Sequence, residues 1–180
     1  MIDSKAKQIL ENTFRDALAM MKLPPFPYTF VYEKIGGSFK TMDNAEEVNS
    51  AERKVYINED WANKVIKTYP YDLYYLMAHE ARHVYQQIQI SQLRSGRQYT
   101  ETPALIVSWE DNFLHYQRNE GGDTVKPYHR QPVEVDADAF ANFYVLLKRI
   151  GPARISDDAD ELVTQRLKEI AAQFGLKIHE

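Results

Sequence analysis

Two histidines and a glutamate, in the segment His79-Glu80-Ala81-Arg82-His83, form an H-E-x-x-H pattern. On a helix, at about 100° per residue, the two imidazoles stand about 40° apart on one face and about one turn apart in height, so both can converge on one cation. Glu80 is rotated about 60° from His83, near enough to reach a water on such an ion without ligating the ion itself. That division of labour is what metal-assisted hydrolysis requires. Zinc lowers the pKa of its bound water to about 7, and a carboxylate beside it takes the proton and later delivers it to the leaving group. With 5 His in 180 residues, the pattern arises by accident in about one such chain in a hundred.

A catalytic zinc takes three protein ligands and keeps one position open. The chain has no Cys, so a third ligand must be His, Asp or Glu. His115 and His129 lie outside the pattern, and His179 stands at the C-terminal end. The segment 132–141, Pro-Val-Glu-Val-Asp-Ala-Asp-Ala-Phe-Ala, is the better source: Glu134 and Asp138 are four apart and project from one helix face. Two acids on the inward side of a helix ask for a cation. Glu134 is then the third ligand, and Asp138 accepts a hydrogen bond from the outer nitrogen of a ligating histidine, fixing its tautomer. Asp136, rotated about 200° from Glu134, is expected to face solvent.

His79-Glu80-x-x-His83 followed by Glu134-x-x-Ala137-Asp138-Ala139-Phe140-Ala141 resembles the H-E-x-x-H … E-x-x-A-D signature of gluzincin metallopeptidases. It is similar both to the HtpX-like and CAAX-prenyl-protease group and to the small ImmA/IrrE-type proteins. The resemblance implies a zincin-like domain that binds one zinc ion through His79, His83 and Glu134, with Glu80 as general base and Asp138 behind the ligands. It also implies a peptide or protein substrate, pairing in extended form with an edge strand beside the cleft, a natural use of a sheet edge. Residues 54–58 are the strand that precedes the metal helix. Arg82 stands where many ImmA/IrrE-type chains carry Gly.

The elements that must position these groups follow from periodicity. Apolar residues from Ala6 to Met21 recur at three- and four-residue steps, predicting an amphipathic helix over 4–21 that the prolines at 24, 25 and 27 stop. Tyr28, Phe30 and Tyr32 alternate as a strand, Gly36-Gly37 makes a turn, 38–42 returns as a second strand and 54–58 is a third. The polar stretch 43–53 reads as a mobile loop whose acidic part, 43–47, either lids the cleft or merely connects. From Trp61 on the chain is helical. A long helix opens at Pro70 and Asp72, runs to about Leu93 and closes at Ser95-Gly96. Thr102-Pro103 starts another, with Ile106, Trp109, Phe113 and Tyr116 on one face. Glu120 to Asp123 is a loop. Pro132 opens the helix carrying Glu134, which ends by Gly151-Pro152, and Asp158 with Glu161 has capping-box spacing ahead of a final helix stopped by Gly175. The fold class is α+β in one domain over 1–180: an N-terminal helix, a small antiparallel or mixed three-stranded sheet, then a helical half with the metal site.

At 180 residues with 44% hydrophobic residues and a net charge of −4, the chain can bury a core without staples, and a nucleic-acid partner is not indicated. The N-terminus carries no secretory apolar stretch and no run is long enough to span a membrane, so the expectation is a cytoplasmic protein with no membrane partner. For the oxyanion donor that such chemistry needs, Tyr128, His129 and Arg130 are the candidates by chain proximity. The aromatic stripe of Trp109, Phe113 and Tyr116 reads as core rather than a specificity pocket, and Gln86 and Gln87 as helix surface. Two other functions use the same residues: a regulatory or interaction protein that retains a non-catalytic metal site, and a small-molecule amidase.

Overall fold

The computed structural model describes residues 1–24, 27–37, 39–42, 45–118 and 122–177; the readings placed on Pro25, Ser38, Asp43, Asn44, Glu120, Gly121 and His179 lie outside them. The architecture is α+β and mostly helical. In chain order the elements are α1 (Ser4–Met20), β1 (Thr29–Glu33), β2 (Glu46–Asn49), β3 (Lys54–Asn58), α2 (Glu59–Thr68), α3 (Tyr71–Arg94), α4 (Pro103–Leu114), α5 (Val125–His129), α6 (Pro132–Leu147) and α7 (Asp160–Gln173). Two compact units are formed, Met1–Val84 and Tyr85–Glu180, and α3 is covalently continuous from one into the other. Among the described residues, no helix is long and apolar enough to cross a membrane.

In the first unit, Asp3 caps α1 by accepting from the amides of Lys5 and Ala6 at 2.9 and 3.1 Å, satisfying two of the donors a helix start leaves open. The helix ends before the prolines act. Lys22 adopts φ +57°, and the amides of Lys22 and Leu23 turn back to the carbonyls of Ala19 and Leu18, a Schellman turn on a non-glycine residue. Phe14 projects from α1 and meets the rings of Tyr28 and Phe30 edge-on at 5.2 and 5.6 Å, fastening α1 to the sheet.

The sheet is mixed, in the order β1-β3-β2, with β3 parallel to β1 and antiparallel to β2. Two expectations are corrected here. Phe39 to Met42 do not form a strand; Phe39 is buried and its carbonyl takes the Gly36 amide at 2.9 Å, Gly36 having φ +101°. The second strand instead lies inside 43–53, the stretch expected to be a loop. Glu-Glu-Val-Asn has weak strand propensity, and it is pairing with β3, from Glu46 opposite Ile57 to Asn49 opposite Lys54, that makes it a strand. Asn49 also accepts from the Glu52 amide at 3.0 Å, closing the hairpin turn. The third expected strand, Lys54–Asn58, is present with the expected bounds but is central and not an edge. Asn58 ends it and caps α2 through the amides of Asp60 and Trp61, both at 3.1 Å.

In the second unit, Thr102 accepts from the Leu105 amide and Pro103 opens α4, as its sequence predicts. Helix α6 is buried nearly all round, from Val133 through Val145, which is the pattern of a central helix. Phe143 packs on Phe174 at 4.9 Å. The Asp158–Glu161 capping box does not form: Ser156 to Ala159 close a turn, Ala159 takes the N-cap position, and α7 starts at Asp160, with Gly175 at φ +72° just past its end.

Candidate metal centre

Helix α3 places His79, Glu80 and His83 on one turn. His79 and Glu80 are each 8% exposed and His83 is half-buried, above a helix face whose Met77, Ala78 and Ala81 are fully buried. His79 Nε2 and His83 Nε2 lie 3.0 Å apart, with the rings edge-on at 4.7 Å. Glu80 Oε1 is 4.0 Å from His79 Nε2, and one ligand atom from each of the three residues lies within 4.8 Å of the others. Two nitrogens bound to one tetrahedral zinc at about 2.0–2.1 Å stand about 3.3 Å apart. The imidazole pair therefore fits a metal ion with little adjustment. This His-Glu-His group can hold a metal ion. Tyr75, one turn before His79, has its ring 6.5 Å from that imidazole.

Within the second unit, α5 and α6 bring four of the other sequence-predicted residues together. Glu134 is 1% exposed in the first turn of α6 and accepts a hydrogen bond from the Tyr116 hydroxyl at 2.9 Å. Tyr128 packs edge-on against Tyr116 at 6.3 Å. Burial above all, and then the negative charge of Glu134, push the Tyr128 phenol well above its ordinary range, so it remains a proton donor throughout working pH. His129 lies against the Tyr128 ring at 5.3 Å and presents Nδ1 to Asp138 Oδ2 at 4.0 Å. Arg130 points elsewhere, donating to the Asp158 carbonyl at 3.1 Å. Gln131 fastens this region: it accepts from the Gln117 amide at 2.8 Å and donates to the carbonyls of Gln117 and Tyr128 at 2.8 and 3.3 Å. The strands of chain bearing Tyr116 and Tyr128 are thereby tied to each other.

Three sequence expectations are corrected in this unit. Asp136 does not face solvent; it is 1% exposed, its two oxygens taken by Arg166 Nε and Gln86 Nε2, both at 2.7 Å. The rotation away from Glu134 was right, but α6 is enclosed, so its far side meets α7 and the end of α3 instead of water. Gln86 is fully buried and not helix surface, whereas Gln87 is exposed as expected. Tyr116 does not continue the α4 stripe: the helix ends at Leu114 with His115 as its C-cap, so Trp109 is buried while Tyr116, 40% exposed, turns to Glu134. Sequence reasoning also missed Arg166, which binds Asp136 and, through Nη2, Glu101 at 2.9 Å. A signal was available, since Arg166 falls on the apolar face shared by Val163, Leu167 and Ile170, where an arginine needs buried carboxylates.

Compared with known protein families, with characterised proteins and with solved structures, the chain matches none.

Proposed function

We propose that the protein is a zinc-dependent peptidase of gluzincin type with a zincin-like arrangement, acting on a peptide or protein substrate in the cytoplasm. The observation that carries this is the α3 turn in which two histidine Nε2 atoms meet at 3.0 Å with a glutamate oxygen 4.0 Å from the nearer ring. His79, His83 and Glu134 would hold the ion. When bound, the ion supplies a Lewis acid that polarises a carbonyl oxygen and brings the pKa of a water close to neutrality. Glu80 takes the proton from the attacking water and returns it to the departing amine. Asp138 fixes a ligand imidazole in one tautomer. The Tyr128 hydroxyl, held protonated by its surroundings, donates to the oxygen on which negative charge develops. Tyr116 keeps Glu134 oriented through its hydrogen bond.

The test is zinc content by elemental analysis together with hydrolysis of a fluorescence-quenched peptide library. Wild type is expected to hold about one equivalent of zinc, lost in His83→Ala and Glu134→Ala. Glu80→Gln is expected to keep the zinc and lose hydrolysis. Zinc retained with unchanged peptide hydrolysis in Glu80→Gln overturns the general-base assignment, and no metal in wild type after incubation with zinc overturns the reading as a whole.

A further inference from the structure

The turn of α6 that carries Glu134 is gripped on both sides by one side chain. Gln86 Nε2 donates to the Val133 carbonyl at 2.9 Å and to Asp136 Oδ2 at 2.7 Å, and these two residues flank Glu134 in the chain. Gln86 is 0% exposed. Burying an amide costs free energy that an apolar side chain in the same place would not incur, so what recommends a glutamine there is what its amide holds. Gln86 is also the third residue after His83, on the same unbroken helix. On the far side of Asp136, Arg166 Nε binds the other carboxylate oxygen at 2.7 Å, and its Nη2 reaches Glu101 at 2.9 Å. Asp136 is thus held from two directions, and the α6 turn has no freedom to roll away from the Gln86 amide.

We propose that Gln86 is a positioning residue for Glu134: its amide fastens the Glu134 turn of α6, so that Glu134 is presented in one rotation. This rests on the reading of Glu134 as third ligand. Gln86 neither ligates the ion nor touches substrate. It acts through the backbone of Val133 and the carboxylate of Asp136, and loss of such an outer partner weakens metal binding by about 10- to 100-fold in sites of this kind.

The experiment is a zinc titration against a chromophoric chelator for wild type, Gln86→Leu, Glu134→Ala and the double variant, at a temperature where far-UV circular dichroism reports each as folded. Gln86→Leu is expected to weaken zinc binding by about tenfold or more, and in the Glu134→Ala background the same change is expected to add less than about twofold, because the ligand it positions is gone. A Gln86→Leu protein that binds zinc like wild type, or one whose loss is equally large with and without Glu134, overturns the proposal, since a merely structural glutamine lowers the unfolding midpoint without this coupling. Glu134→Ala binding zinc as wild type does overturns the third-ligand reading instead, and the proposal falls with it. If Gln86→Leu does not fold, Gln86→Asn, which keeps the amide but shortens its reach by one methylene, is held to the same two outcomes.

Discussion

On α3, two polar groups of one helix turn are aimed at each other, His79 Nε2 at His83 Nε2 across 3.0 Å. On α6, the polar groups of residues 134–136 are aimed at counter-groups of the fold: Asp136 at Arg166 and Gln86, Glu134 at Tyr116. Both stretches are largely buried, and burying a charge costs several kcal/mol unless it is paired. Helix α6 meets that requirement with donors from its own unit. Two neutral imidazoles facing each other complete one hydrogen bond at most, whereas a cation accepts both lone pairs at once. An ion from solution can therefore add to the imidazole pair of α3 what one ring cannot give the other, while Asp136 on α6 is already matched by a guanidinium and an amide of the chain.

That contrast breaks most visibly if acids in the two stretches are interchangeable. Glu80→Gln is expected to lower peptide turnover by about 10²- to 10⁴-fold, the usual worth of a general acid–base group, with zinc content and thermal midpoint unchanged. Arg166→Met, on the side of the internally matched charges, is expected to act on stability instead. Its guanidinium, which burial disfavours but which Asp136 and Glu101 together hold above its ordinary pKa, is the cation of a buried cluster, and removing one partner of such a cluster costs roughly 3–5 kcal/mol. Urea denaturation followed by circular dichroism measures it. Replacing Asp136 and Glu101 by leucine in the same protein is expected to restore part of the loss, because the stranded charges go too.

A third prediction sharpens the proposal that the α3 turn takes up an ion. Zinc at about 100 times its dissociation constant is expected to stabilise wild type by about 2.7 kcal/mol, and His79→Ala is expected to lose that increment while keeping its metal-free midpoint. Chelator should return wild type to the metal-free value. Because neutral imidazole is the ligating form, the increment shrinks as the solution is acidified. Equal stabilisation of His79→Ala and wild type would remove the distinction between the two stretches.

The α3 turn was legible because its meaning lies in one element: spacing on a single helix fixes which side chains meet, and the observed nitrogens meet as the spacing requires. The same holds for the Thr102-Pro103 start and for β3. What escaped was set by partners distant in sequence. Asp136 and Gln86 look like surface residues until α6 is known to be enclosed and 50 residues of chain are closed between them. Tyr116 could be placed on the α4 stripe only by assuming that the helix continues past Leu114. Strand β2 has almost no local signal and exists through its register with β3. Local spacing was readable from the sequence, and the contacts between distant segments were not.

The smallest expected effect belongs to a polar tie of the first unit between α1 and β1. The Tyr32 hydroxyl donates to Glu11 at 3.0 Å, and burial first, with Glu11 second, raises its pKa above the ordinary phenol value. The folded protein therefore holds this proton after the unfolded chain, titrating near pH 10, has begun to release it. The contribution of the protonated phenol is fully present below about pH 10 and is lost as pH rises from there through the folded-state pKa. Tyr32→Phe is expected to cost only about 0.5–1.5 kcal/mol at pH 8, the worth of one hydrogen bond, and to flatten the decline in urea midpoint between about pH 9 and 11. A steep decline that persists in Tyr32→Phe would assign the alkaline sensitivity to another group, with Tyr128, raised in the same direction beside Glu134, the next to replace.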